Sequence, residues 1–121
     1  MKKVIATPDA PKAVGPYSQA IEVNGTLYIS GQIPVNPADG TVQEEITAAA
    51  HQSLKNIGAI LREAGMTYDN VVKTTVLLAD IADFKAVNEV YAEYFTGDKP
   101  ARACYQAAAL PLGVKVEIEA I

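Results

Sequence analysis

Two segments of this 121-residue chain, and no more, carry the spacing of an amphipathic helix, and they must cover every strand the chain forms. Ile46, Ala50, Leu54, Ile57, Leu61 and Ala64 recur at helical intervals, which lines one face with apolar side chains. Thr41-Val42-Gln43-Glu44 reads as a capping box ahead of this helix, and Gly65 sits where a left-handed residue would stop it. The second stripe runs Phe84, Val87, Tyr91 and Tyr94 or Phe95, with Asp80 as its cap and Gly97 at its end.

Around the helices lie the β-type runs Gln19 to Val23, Thr26 to Ser30, Val71 to Ala79, Ala101 to Ala107 and Val114 to Ala120. Asn24-Gly25 joins the first two as a tight hairpin, because both central residues of such a turn need φ > 0. Val71 to Ala79 is apolar on both parities and reads as a central strand buried on most of both faces. The last two runs read as a hairpin through Leu110-Pro111-Leu112-Gly113. The segment up to Pro16, with Pro8, Pro11 and Pro16, reads as irregular, and Gly31 to Gly40 as a loop. The order is ββαβαββ: an α+β fold with a single sheet and two helices on one face. The other face has no cover within residues 1–121, a single domain, so its apolar residues call for another subunit.

Composition narrows the function classes. Ten Lys and Arg face fourteen Asp and Glu, a net charge of −4, which disfavours a nucleic-acid partner because such affinity rests on neutralising phosphates. No run approaches the roughly 20 apolar residues that span a bilayer, and the first residues lack the apolar stretch of a secretory signal. The lone Cys104 has no disulfide partner within the chain, in keeping with a reducing compartment. A cytoplasmic location is the expectation.

A few residues could carry chemistry. Arg102 sits in the strand Ala101-Arg102-Ala103-Cys104-Tyr105-Gln106, and alternation puts Arg102, Cys104 and Gln106 on one face. A guanidinium fork can grip a carboxylate through two hydrogen bonds, but a structural ion pair or a charge guarding a sheet edge fits the pattern as well. Glu117 shares a face with Lys115 and Glu119; in the hairpin it falls near Gln106 and Cys104, where a carboxylate could orient or deprotonate water, and a plain solvated face is the alternative. Arg102 could lower the Cys104 thiol pKa, or the cysteine could be a small buried hydrophobe. His51, off the helical stripe beside Thr47 and Lys55, reads as exposed. Tyr17 and Ser30 flank the first hairpin, and Gly31 leaves backbone N–H groups open to a ligand, but plain turn chemistry is the better reading of Gly15-Pro16-Tyr17-Ser18 from pattern alone. One His and one Cys are too few for a typical zinc site, and no phosphate loop, nucleophile elbow or zinc-protease motif occurs.

Gly15-Pro16-Tyr17-Ser18-Gln19-Ala20, Ser30-Gly31-Gln32-Ile33-Pro34, Val72-Lys73-Thr74-Thr75-Val76, Pro100-Ala101-Arg102-Ala103-Cys104 and Val116-Glu117-Ile118-Glu119-Ala120, in this order and spacing, resemble the RidA/YjgF family, also labelled L-PSP. The resemblance implies a chorismate-mutase-like (ferredoxin-like) α+β fold and a homotrimer with sites in the clefts between subunits. It implies hydrolysis of 2-aminoacrylate/2-iminopropanoate and 2-iminobutanoate to 2-keto acids and ammonia, without a cofactor or metal. Such intermediates are released by pyridoxal-phosphate enzymes such as threonine dehydratase. Carried over by position, Arg102 would hold the substrate carboxylate and Glu117 would position the attacking water. Tyr17, Ser30, Gly31 and Cys104 would line the pocket, and Asn88 would support the cleft. Phe95 to Pro100 is shorter than in some members and the usual short tail after Ile121 is missing, which bears on substrate preference. Two other readings stand beside this one: an endoribonuclease or translation inhibitor, a label parts of the family carry, and a non-catalytic regulator that binds a small carboxylate.

Overall fold

The computed structural model describes residues 1–121. Six strands, β1 (Lys3–Ile5), β2 (Ala20–Val23), β3 (Thr26–Gln32), β4 (Lys73–Leu78), β5 (Ala101–Gln106) and β6 (Val116–Ala120), form one mixed sheet in the order β1-β2-β3-β6-β4-β5. Helices α1 (Ile46–Glu63) and α2 (Phe84–Tyr94) pack on one face. The expected α+β architecture with two helices on one sheet face is therefore the one observed.

The core is the seam between that face and the helices. Leu54, Ile57 and Ile60 of α1 meet Val76, Leu78, Val116 and Ile118 of the sheet, all with no solvent exposure. Each such side chain contributes about 1.5–3 kcal/mol by leaving water. Asn24 and Gly25 take φ of 50° and 78°, the turn the β2–β3 hairpin requires. Gly65 has φ of 75° just after α1, as its stop signal implied.

Four local expectations are corrected. Lys3–Ile5, expected to be irregular, is an edge strand paired with β2, drawn in by Ile5, which is 4% exposed. Thr41 does not cap α1. Val42 bridges to Val35, which holds the chain extended there, and Thr41 bonds to Asp39. Glu45 is the cap instead, its carboxylate accepting from the backbone N–H groups of Thr47 and Ala48. Asp80 caps a 3₁₀ turn, Ile81–Asp83, that leads into α2. The second helix ends at Tyr94, before Gly97, with the Phe95 N–H bonded to Tyr91.

The largest correction concerns β5 and β6, which do not form a hairpin. β4 lies between them, parallel to β5 and antiparallel to β6. α2 is the crossover that a parallel β4–β5 pair requires, and it leaves the far edge of β4 free for β6. The place of β4 inside the sheet is as expected, but only one of its faces is buried in the chain. Thr74, Val76 and Leu78 have no exposure, whereas Lys73 is exposed and Thr75 and Leu77 are half-buried on the open face. That face also presents Val4, Tyr28 and Tyr105, which are 58%, 47% and 53% exposed.

Candidate active site

The strand register decides where each candidate residue points. Arg102, Cys104 and Gln106 lie beside Thr74, Val76 and Leu78, so they occupy the helix-bearing face at the β5 edge. Glu117 lies beside Leu77, and Leu77 beside Tyr105, on the open face. The expectation that Glu117 falls near Cys104 and Gln106 fails, because it depended on the absent hairpin. Within one chain the sheet separates Arg102 from Glu117. They are also two strands apart, roughly 10 Å, and three residues apart along the register.

On the helix side, the Arg102 guanidinium carbon stands 4.8 Å from the centre of the Tyr91 ring and 5.5 Å from that of Phe84. Asn88 lies on the same α2 face, four residues after Phe84 and three before Tyr91. The chain's one close approach of a carboxylate to a basic side chain is Glu93 to His51 at 3.9 Å, so no carboxylate of the chain holds the Arg102 fork. The structural ion pair that alternation left open is thus not made within the chain. Cys104 is half-buried, and burial pushes its thiol pKa up more than nearby Arg102 pulls it down. The direction is the reverse of a lowered thiol pKa.

On the open side, β3 carries an extra residue against β6: Ile29 pairs with Ala120 but Gln32 pairs with Ile118. This bulge falls at Ser30–Gly31 and locally re-aims the strand. Glu117 fits against the bulge because Gly31 has no side chain. A Cβ there would overlap the carboxylate, lying 2.9 Å from Glu117 Cδ. Burial, joined by the charge of Glu119, raises the Glu117 pKa above the ordinary carboxylate value. Ser30 Oγ donates to the Ser18 carbonyl at 2.6 Å and its N–H to that of Gln19 at 2.9 Å, which fastens the Tyr17 segment alongside β3. Tyr17, 49% exposed, and Gly31 line a cavity of about 460 Å³ together with Gln32 and Leu112.

The candidate residues therefore fall into two groups: Arg102, Asn88 and Cys104 beside α2, and Tyr17, Ser30, Gly31 and Glu117 around the β3 bulge. His51, expected to be exposed, is partly buried and shares a 2.7 Å hydrogen bond between Nδ1 and the Tyr94 hydroxyl. It belongs to neither group. Three contributors escaped the sequence reading. Gln19, 6% exposed, accepts from the Thr7 N–H and donates to the carbonyls of Thr7, Ala10 and Pro11, which pins the segment leading to Tyr17. Phe84 and Tyr91 read as core stripe, although their seven-residue spacing already put both on one helix face.

Comparison with known proteins agrees with this fold. The family model Endoribonuclease L-PSP matches residues 7–121. The chain is 57% identical over its whole length, and over 90% of the relative, to the mouse 2-iminobutanoate/2-iminopropanoate deaminase. A Rid-family protein, YyfA of Yersinia pestis, superimposes with a TM-score of 0.97 at 50% identity, covering 99% of this chain and 97% of that one. TdcF of E. coli with bound serine superimposes at 0.95 with 41% identity, over 98% of this chain and 95% of that one. The chain belongs to the Endoribonuclease L-PSP family, the family of the Rid and YjgF proteins.

Proposed function

We propose that this protein is a hydrolytic deaminase that converts 2-aminoacrylate/2-iminopropanoate and 2-iminobutanoate to 2-keto acids and ammonia. The observation that carries this reading is the full-length identity of 57% to the mouse deaminase of that name. The uncommitted Arg102 fork and the partly buried Glu117 supply groups suited to the chemistry.

The site is formed between chains. Arg102 and Glu117 lie on opposite faces of one sheet, so they can meet only when the open face of one chain covers the β5 edge and α2 of another. A homotrimer closes such a head-to-tail contact on itself and buries Val4, Tyr28 and Tyr105. Arg102 of one chain binds the substrate carboxylate through two N–H···O bonds, with Asn88 and Cys104 at its flank. Tyr17, Ser30, Gly31 and Glu117 of the neighbour form the opposite wall.

The enamine first gains a proton at its terminal carbon and loses one from its nitrogen, becoming the imine. Protonation of the imine nitrogen makes the adjacent carbon electrophilic. Glu117 accepts a proton from a water as its oxygen bonds to that carbon, giving a carbinolamine. The carboxyl then returns the proton to the nitrogen, and the carboxylate so freed takes the hydroxyl proton as the C–N bond breaks, ammonia leaves and the carbonyl forms. Fixing the carboxylate and the water in one cleft supplies most of the gain, since orientation alone can remove several kcal/mol from a barrier. A cytoplasmic location and a small imino-acid substrate follow from the same reading. No helix is long and apolar enough to cross a membrane.

Threonine dehydratase acting on serine or threonine generates the imine in place, and keto-acid release is followed with and without this protein. The protein accelerates release, and Arg102→Ala abolishes the acceleration. Arg102→Lys is also impaired, because an ammonium cannot reproduce the planar fork. Release no faster than in buffer, with assembled protein, overturns the proposal. The endoribonuclease reading has little to draw on: His51 is engaged with Tyr94 between the helices, away from Arg102 and Glu117.

A further inference from the structure

We infer that Phe84 and Tyr91 form an aromatic bracket that positions the Arg102 guanidinium while leaving its N–H donors free for an incoming acid group. The inference rests on the deaminase reading only in taking that acid group to be the substrate carboxylate.

An arginine meant to bind a carboxylate faces a conflict. Left alone on a flexible stem, it must be ordered at the moment of binding, which weakens affinity. Tied down by an acidic partner, it is ordered, but its fork is already filled. Aromatic faces resolve the conflict, because a ring attracts the cation through its quadrupole and takes up no N–H donor. Both rings stand within the roughly 6 Å over which that attraction operates, at 4.8 and 5.5 Å, and no carboxylate of the chain pairs with the arginine.

Each ring is in turn held by the sheet that carries Arg102. The Tyr91 hydroxyl shares a 2.7 Å hydrogen bond with Thr74 Oγ1, and Thr74 is fully buried. Thr74 is the register partner of Arg102 on the adjacent strand, so the ring is tied to the residue beside the arginine. Phe84 opens α2 and stays 41% exposed, an aromatic the core does not use. Its position is set by the 3₁₀ turn before it. Gln106, on the same β5 face as Arg102, accepts from the Ile81 N–H at 2.9 Å, and Asp80 accepts from Ala82 at 2.9 Å. One ring thus hangs from β4 and the other from β5, and the two fix the guanidinium between them. Phe84 and Tyr91 act through Arg102 and are positioning residues.

Phe84→Leu tests the bracket, because it removes a half-exposed face and leaves the core untouched. Calorimetric titration with 2-oxobutanoate, a keto-acid product, and steady-state kinetics are run on the assembled protein. Affinity for the keto acid falls about tenfold, in the range expected for a partly desolvated cation–π contact. KM rises by a similar factor with kcat nearly unchanged, since the carboxylate grip is equal in ground and transition states. Phe84→Trp, which restores a π face, recovers both constants. The Arg102 side-chain N–H proton, shielded by the rings in the native protein, moves downfield in Phe84→Leu and back in Phe84→Trp. Affinity and KM within twofold of native in Phe84→Leu, or equal impairment in both variants, overturn the bracket. Native protein that binds 2-oxobutanoate without turnover overturns the deaminase reading alone, since the binding arm still reports on the bracket. Native protein that neither binds nor turns over overturns both.

Discussion

Arg102→Ala and Glu117→Gln, each inactive alone, complement one another when mixed. The two residues lie on opposite faces of one sheet and two strands apart, so a site containing both takes Arg102 from one chain and Glu117 from its neighbour. In a ring assembled at random from equal amounts of the variants, about one half of the sites draw their arginine from a Glu117→Gln chain. About one half of those draw their glutamate from an Arg102→Ala chain, so about one quarter of all sites are intact. The assay is keto-acid release after the mixture is unfolded and refolded together, with subunit exchange checked by native mass spectrometry. The expected rate is about a quarter of the native rate, because each intact site works independently. If both residues served one chain's own site, every site in the mixture would carry one defect. A mixed ring no more active than either parent therefore rules out a site shared between chains.

Gly31→Ala places a methyl group where the Glu117 carboxylate packs; keto-acid release falls by at least about tenfold as the carboxylate is displaced by the order of an ångström, while the melting curve stays cooperative. The pH profile of kcat/KM has an acid limb set by Glu117, whose ionised form accepts the proton from water. Because burial and Glu119 raise this pKa, activity is lost at a higher pH than the ordinary value of about 4.3 predicts. The same shift bears on stability: the folded chain holds this proton more tightly than the unfolded one, so ionised Glu117 costs stability above its folded pKa, and the cost vanishes as pH falls through it. In denaturant melts, Glu117→Gln is thus more stable than native at neutral pH and level with it in acid. Ser53 Oγ is buried in α1 without a hydrogen-bond partner, so Ser53→Ala stabilises by about 1 kcal/mol through relief of that group and better helix propensity. Tm rises by about 3–6 °C, measured at matched protein concentration.

The sequence was legible where one periodicity governs a segment. Leu54, Ile57 and Leu61 announce the buried face of α1, Asn24-Gly25 announces its hairpin, and the shortage of helices announces the open sheet face. Local signals misled where tertiary pairing outweighed them. Thr41 to Glu44 has the letters of a capping box, but the Val42–Val35 bridge keeps it extended. Lys3–Ile5 is too short to register as a strand until β2 offers it an edge. Alternation correctly grouped Arg102 with Cys104 and Gln106, and Glu117 with Glu119, yet it says nothing about which strands are neighbours. Inserting β4 between β5 and β6 is a long-range choice driven by the α2 crossover, and it turned two nominally adjacent candidates into residues on opposite faces. Motif resemblance named Arg102 and Glu117 together, and the register shows that a single chain cannot bring them together.

The most direct measurement is a crystal structure of the assembled protein with 2-oxobutanoate bound. The account predicts the ligand carboxylate on the Arg102 fork of one chain, and the Glu117 carboxylate of its neighbour facing the carbonyl carbon at one-water distance. Arg102 and Glu117 opening into separate cavities in the assembly, with the ligand touching at most one of them, would contradict it.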